Sequence, residues 1–112
     1  MKEEIFEYKL DEYIIKIGKN KEENNQLIDE SEETDIWFHV ENEPSCHVIL
    51  KNSDKVREIP KQVIKRCAYL CKINSKAKTE SSTVIMYTEV KNIEKTRRMG
   101  EVKVLIYKRV IV

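Results

Sequence analysis

Apolar positions change their spacing several times along the chain, and each change marks an element. Ile5-Phe6-Glu7-Tyr8-Lys9-Leu10 mixes alternation with β-forming side chains and predicts a strand. Asp11-Glu12 reads as a turn and Tyr13-Ile14-Ile15-Lys16-Ile17 as the hairpin partner, which Gly18 ends. Asn20 fits the cap of a short helix over roughly 21–30, with Glu23 three residues on, as in a capping box. Leu27 and Ile28 are that helix's strong apolar anchors. Ile36–Val40 and Cys46–Leu50 are β-rich runs around the polar stretch 41–45, which predicts a second hairpin. Residues 51–58 read as a charged loop.

Pro60 suits a first helical turn, where its missing N–H costs nothing. Val63, Ile64, Cys67, Leu70 and Cys71 then recur on one face of a 3.6-residue period, predicting a helix to about Lys78. Lys61, Lys65, Tyr69, Lys72 and Lys76 fall on the opposite stripe. After a loop at 79–82, Thr83–Thr88 is a strand and 91–98 a polar, basic loop. Met99-Gly100 is a break, and Val102–Ile106 and Arg109–Val112 form a last pair of strand-like runs about a turn at Tyr107-Lys108. The order ββ(α)ββαβββ points to the α+β class: a mostly antiparallel sheet built from hairpins, with one long and one short helix packed on one side.

Length and composition narrow the picture. At 112 residues, with no repeat and no linker, residues 1–112 read as one domain. No window approaches the apolar length of a membrane span, and the acidic start "MKEEIFEYKL" is no signal peptide. Three Cys inside apolar patterns suit buried thiols in a reducing, cytoplasmic setting better than a disulfide framework. Charge is unevenly spread. Residues 1–43 hold 5 Lys/Arg against 14 Asp/Glu, residues 44–112 hold 16 against 6, and the total is +1. The asymmetry fits a cationic surface in the second half, or two halves that attract each other in the fold.

The stretch "DIWFHVENEPSCHVIL" at 35–50 gathers the only Trp and both His. Strand alternation puts Asp35, Trp37 and His39 on one face and Ile36, Phe38 and Val40 on the other. A loop at 41–45 sets His39 opposite His47 and Val40 opposite Cys46, so that Asp35, Trp37, His39 and His47 form one patch. Three uses compete for it. A zinc site has suitable ligand types, but Cys46 points away and no CxxC or HxxxH spacing exists. A His base oriented by Asp35 has no nucleophile elbow or phosphate loop beside it. The third use is structural or recognitional: Trp37 is buried in the sheet, or Trp and His stack on a nucleobase. Cys67 and Cys71, four apart on the apolar helix face, read as core thiols.

These residues resemble the NFACT-R domain family. Gly18-Lys19-Asn20-Lys21, Asn25 and Leu27 resemble its "GrnakqNdeL" pattern, and Asp35-Ile36-Trp37-Phe38-His39 its "D-[IL]-W-F-H". Pro44-Ser45-Cys46-His47-Val48-Ile49 is similar to "P-G-S-H-V-I", and Ser75-Lys76-Ala77-Lys78 to "S-K-A-[RK]". Tyr87-Thr88, Val90-Lys91-Asn92-Ile93-Glu94-Lys95 and Gly100-Glu101-Val102 follow in the family's order. The resemblance implies an RNA-binding domain that takes tRNA or rRNA. In the family it occurs in large ribosome-quality-control factors that act on the large ribosomal subunit, and in small eukaryotic proteins with a coiled-coil tail. It implies no enzyme activity, catalytic residue, metal or cofactor. Ser45-Cys46 stands where Gly-Ser is common, which disfavours a role that needs a flexible glycine there.

The expected nucleic-acid-binding residues are Lys19, Asn20, Lys21, Asn25, Trp37, His39, His47, Lys76, Lys78, Lys95, Arg97 and Arg98. Lys72 and Lys91 are further phosphate candidates. Lysines would contact phosphates with release of counterions, and the Trp/His patch would add stacking or shape recognition. RNA is the expected partner, with the large ribosomal subunit behind it; DNA is a second nucleic acid the same charges suit, and no membrane is expected. Two other classes stay open: a protein-interaction module docking on ribosomal proteins, and a metal-dependent hydrolase using His39, His47 and Asp35.

Overall fold

The computed structural model describes residues 1–52 and 58–112, so the middle of the predicted charged loop, 53–57, lies outside the described residues. Strand β1 (Lys2–Tyr8) pairs antiparallel with β2 (Asp11–Gly18), Tyr8 facing Asp11. Lys9 and Leu10 are left as a two-residue loop with φ of 48° and 70°. A turn with both central residues at positive φ matches the twist of its strands. The turn therefore precedes the expected Asp11-Glu12, which lie inside β2. The long ladder from Lys2↔Ile17 to Tyr8↔Asp11 outweighs local turn preference, and Leu10 is left 97% exposed at the tip.

Helix α1 (Lys21–Glu30) has the predicted bounds. Asn20 Oδ1 accepts from the Glu23 N–H at 2.8 Å, and Glu23 Oε1 accepts from the Lys19 N–H at 3.0 Å. This is the capping-box exchange with its return bond one residue early. Strands β3 (Ile36–Val40) and β4 (His47–Leu50) pair with Trp37 opposite Ile49 and Phe38 opposite Val48. That is the predicted register.

Helix α2 (Lys61–Ile73) stops five residues short of the expected Lys78. Asn74 Nδ2 donates to the Leu70 carbonyl at 2.8 Å and Ser75 Oγ to the Lys72 carbonyl at 2.8 Å. Ser75 Oγ also accepts from the Ala77 N–H and starts a separate 3-10 turn over Lys76–Thr79. Short polar side chains that bond their own backbone compete with the helix ladder and end it. Lys76 therefore leaves the helix stripe. Lys72 leaves the outward stripe too: it is 8% exposed, with Nζ donating to the Val112 carbonyl at 3.1 Å.

Strand β5 (Val84–Glu89) follows, then β6 (Ile93–Lys95), β7 (Val102–Val104) and β8 (Lys108–Ile111). The main sheet runs β1-β2-β4-β3-β5-β8, all antiparallel, and β6–β7 is a ladder of its own. Two expectations are corrected. The basic stretch 91–98 is partly strand, and β7 and β8 belong to different sheets instead of pairing. The cause is burial: Ile93, Val102 and Val104 carry the β6–β7 hairpin onto Leu27, Trp37 and Ile49.

The helices also lie on opposite faces of the sheet, where one side was expected. Val63, Cys67, Ala68, Leu70 and Cys71 of α2 pack on Ile15, Phe38, Val48, Leu50 and Ile85. Leu27 of α1 packs on Trp37 and Ile49 across the sheet. Neighbours Trp37 and Phe38, or Val48 and Ile49, point to opposite faces and are all apolar, so both faces need a cover. The three Cys are free and buried, as their apolar setting predicts.

Candidate nucleic-acid interface

The two-sided sheet ends in a small ring cluster. Trp37 is fully buried and donates from Nε1 to His47 Nδ1 at 3.1 Å. His39 stacks on Trp37, with centroids 5.4 Å apart and planes at 18°, and meets His47 edge to face at 5.1 Å. Its Nδ1 lies 2.6 Å from the Val40 carbonyl. Asn24 Oδ1 accepts from the His47 N–H at 3.1 Å, so α1 fixes the start of β4. Gly18 makes that possible, because a Cβ there would lie 2.5 Å from Asn24 Oδ1.

Burial holds the imidazoles neutral. The His47 pKa falls to about 3, first through desolvation and then through the neighbouring His39. The His39 pKa is also lowered by burial, partly offset by its bond to the Val40 carbonyl. At neutral pH the pair is uncharged, so any phosphate attraction here comes from elsewhere.

The expected patch is altered in two ways. Asp35 serves a different purpose: fully buried, it accepts from the Glu32 N–H at 2.9 Å, the Asn52 N–H at 2.8 Å and Lys51 Nζ. It clamps the entry to β3 against the exit of β4, and its oxygens are taken. The hydrolase arrangement of His39, His47 and Asp35 therefore lacks its carboxylate, and no metal-ligand cluster forms among the described residues. Second, Trp37 at 0% and His47 at 2% exposure offer no ring face to a base, so direct stacking by these two is corrected. Only His39, half-buried, brings a ring face to the surface, and His47 reaches it by its Nε2 edge alone.

That surface is the floor of a cleft of about 1270 Å³. Its walls come from four places far apart in sequence: the start of α1, the β3–β4 loop, the turn after α2 and the tip of the β6–β7 hairpin. They bring Lys19, Asn20, Lys21, Lys76, Lys78 and Arg98 around His39. Lys19, Lys21, Lys76 and Lys78 are exposed and make no ion pair among the described residues. Arg98 is loosely held by Glu101 at 3.9 Å.

Three expected residues lie outside the cleft. Lys95 pairs with Asp29, Asn25 Nδ2 donates to the same carboxylate at 3.4 Å, and Arg97 is exposed in the β6–β7 loop without lining the cleft. Lys91 lies 3.7 Å from Glu89. The sequence reading missed Asn24 and Gly100. Gly100, at φ +77°, lets the hairpin tip touch α1; a Cβ there would sit 2.8 Å from Lys21 Cα and its carbonyl oxygen. The chain's scarcity of Gly was the available signal, since a lone Gly in a polar loop marks a special backbone position. Asn24 sent none, being one polar residue among several in a short helix.

A family model described as the NFACT protein RNA binding domain matches residues 2–107. Coiled-coil domain-containing protein 25 of Bos taurus is 41% identical over 90 residues, covering 78% of this chain and 43% of that protein. Rqc2 homolog RqcH of Bacillus subtilis is 33% identical over 82 residues, covering 72% of this chain and 14% of that protein. The chain thus spans less than half the length of these relatives. The C-terminal part of the fibronectin/fibrinogen-binding protein from Streptococcus suis has the same fold, with a TM-score of 0.85 at 24% identity over 100% of this chain and 45% of that one. A family match over nearly the whole length, with relatives of 33–41% identity, places the chain in the NFACT protein RNA-binding domain family.

Proposed function

We propose that this cleft binds RNA, tRNA or rRNA, by its phosphate backbone, and that the chain acts without catalysis at the ribosome or its quality control. One observation carries the reading: four lysines without an ion pair among the described residues, Lys19, Lys21, Lys76 and Lys78, come from two distant segments to rim one concave surface. Each is free to release counterions from a phosphate, which favours binding at low salt. Lys95 and Arg97 would add peripheral contacts along a longer RNA, Lys95 by giving up Asp29. Trp37 acts as the support of His39 and His47. The large ribosomal subunit is the expected setting from the family resemblance.

The test titrates tRNA, a large-subunit rRNA fragment and matched duplex DNA at two salt concentrations. Lys76→Glu/Lys78→Glu should weaken RNA binding at least about tenfold and flatten the salt slope by about two. Lys61→Glu/Lys65→Glu, on the outer face of α2, should change it little. Salt-insensitive binding, or no binding to any nucleic acid, would reject the reading and favour docking on a protein.

A further inference from the structure

The floor of the cleft presents two ring nitrogens in fixed and opposite roles. An indole N–H can only donate, so His47 Nδ1, at 3.1 Å from Trp37 Nε1, carries no proton. The proton of that neutral ring is on Nε2. A carbonyl can only accept, so His39 Nδ1, at 2.6 Å from the Val40 oxygen, carries a proton. The neutral His39 ring therefore holds a lone pair at Nε2. The rings meet edge to face at 5.1 Å and share no hydrogen bond. Neither Nε2 has a partner among the described residues, yet no buried side-chain nitrogen or oxygen there is unsatisfied. Both atoms are thus open, and both residues line the cleft.

We propose that this donor–acceptor pair is a hydroxyl site, and that the hydroxyl it takes is the ribose 2′-OH of RNA. The hydroxyl oxygen accepts from His47 Nε2–H, and its hydrogen goes to His39 Nε2. The inference rests on the reading of the cleft as a nucleic-acid surface. The cations of the rim, Lys19, Lys21, Lys76, Lys78 and Arg98, suit phosphate oxygens, and the carboxylates Glu43 and Glu101 line the same cleft. A DNA sugar-phosphate backbone offers acceptors alone, whereas RNA adds one donor per nucleotide, the 2′-OH that lets a protein tell the two apart. The acceptor at His39 Nε2, set beside the donor at His47 Nε2, therefore finds no hydrogen on a DNA backbone and finds one on RNA. Base stacking is a poorer use of the floor, because Trp37 is buried and covers one face of His39.

The experiment measures binding of one labelled sequence made with four sugars: ribose, 2′-deoxyribose, 2′-fluoro and 2′-O-methyl. The last two keep an RNA-like sugar shape but have no hydrogen to donate. Wild-type protein should bind the ribose form about fivefold more tightly than the other three, the scale of one hydrogen bond. His39→Phe keeps a ring on Trp37 and removes Nε2; it should close that gap by weakening the ribose form alone. Equal binding of ribose and 2′-fluoro forms by wild type would overturn the hydroxyl site while leaving the nucleic-acid reading intact. Full discrimination by a folded His39→Phe protein would overturn it as well. Failure of wild type to bind any of the four would remove both.

Discussion

Single residues here divide into those that hold the cleft's shape and those that face a ligand. Asp35 holds shape. Replacing it with Ala strands Lys51 and leaves the Asn52 and Glu32 N–H groups without their acceptor. Removing one partner of such a buried network should cost about 3–5 kcal/mol, read from urea unfolding at pH 7. His47 holds shape in a pH-dependent way. Its folded pKa of about 3 lies below the unfolded value near 6.5, so the unfolded chain binds the proton first. The stability it allows is complete above about pH 6.5 and drains away as pH falls toward 3, by up to about 5 kcal/mol. Lowered carboxyl pKa values at Glu4, from Arg66, and Glu23, from the Lys19 N–H, act in the same direction. Urea midpoints that stay level from pH 7 to pH 4 would contradict this account of His47.

At the scale of elements, the cleft depends on a hairpin docked against a helix end. The β6–β7 tip reaches α1 through Gly100, whose positive φ and missing Cβ allow contact with the Lys21 backbone. Gly100→Ala should cost about 1–3 kcal/mol from the conformation alone, with a further loss from the clash. Pushing the tip away also moves Arg98 from Lys21 and Lys76, so RNA affinity should drop even where the protein stays folded. Melting temperature and RNA titration on the same sample would check both. The end of α2 matters equally. The Asn74 and Ser75 side chains end the helix and turn Lys76 and Lys78 into the cleft. Ser75→Ala removes the bonds to the Lys72 carbonyl and the Ala77 N–H. It should cost about 1 kcal/mol and weaken RNA binding in the same titration.

Across the whole molecule, the uneven charge serves two ends at once. Arg66–Glu4, Lys95–Asp29 and Arg109–Glu41 each join the basic second part of the chain to the acidic first part. The two halves therefore do attract each other. Cations left over, together with Lys19 and Lys21 from the acidic half, rim the cleft. A net charge of +1 gives no long-range attraction, so binding should depend on the local cluster. Replacing Arg109 or Lys95 should disturb stability by less than about 1 kcal/mol, since exposed pairs contribute little. Replacing Lys76 or Lys78 should change affinity and leave stability alone. Both outcomes follow from unfolding and titration of the same variants.

The sequence by itself determined the elements whose signals are local. Asn20 and Glu23 fixed the start of α1, and the apolar period from Val63 to Cys71 fixed α2. The length of the 41–45 loop set β3 against β4 and so brought His39 to His47. The motif order identified the family, and with it most of the cleft. Tertiary structure decided whatever rests on partners distant in the chain. It placed α1 and the β6–β7 hairpin on the face opposite α2, because Trp37 and Ile49 needed cover that strand alternation cannot assign. It parted β7 from β8, since pairing is chosen by burial and both runs have the same local preference. It took Asp35 out of the ring patch, as a buried carboxylate goes to the nearest N–H groups and cation, which only the folded chain brings near. Above all, it fixed the proton positions on His39 and His47. Those depend on a neighbouring carbonyl and an indole N–H held within hydrogen-bond reach, a matter of distance that no spacing along the chain encodes.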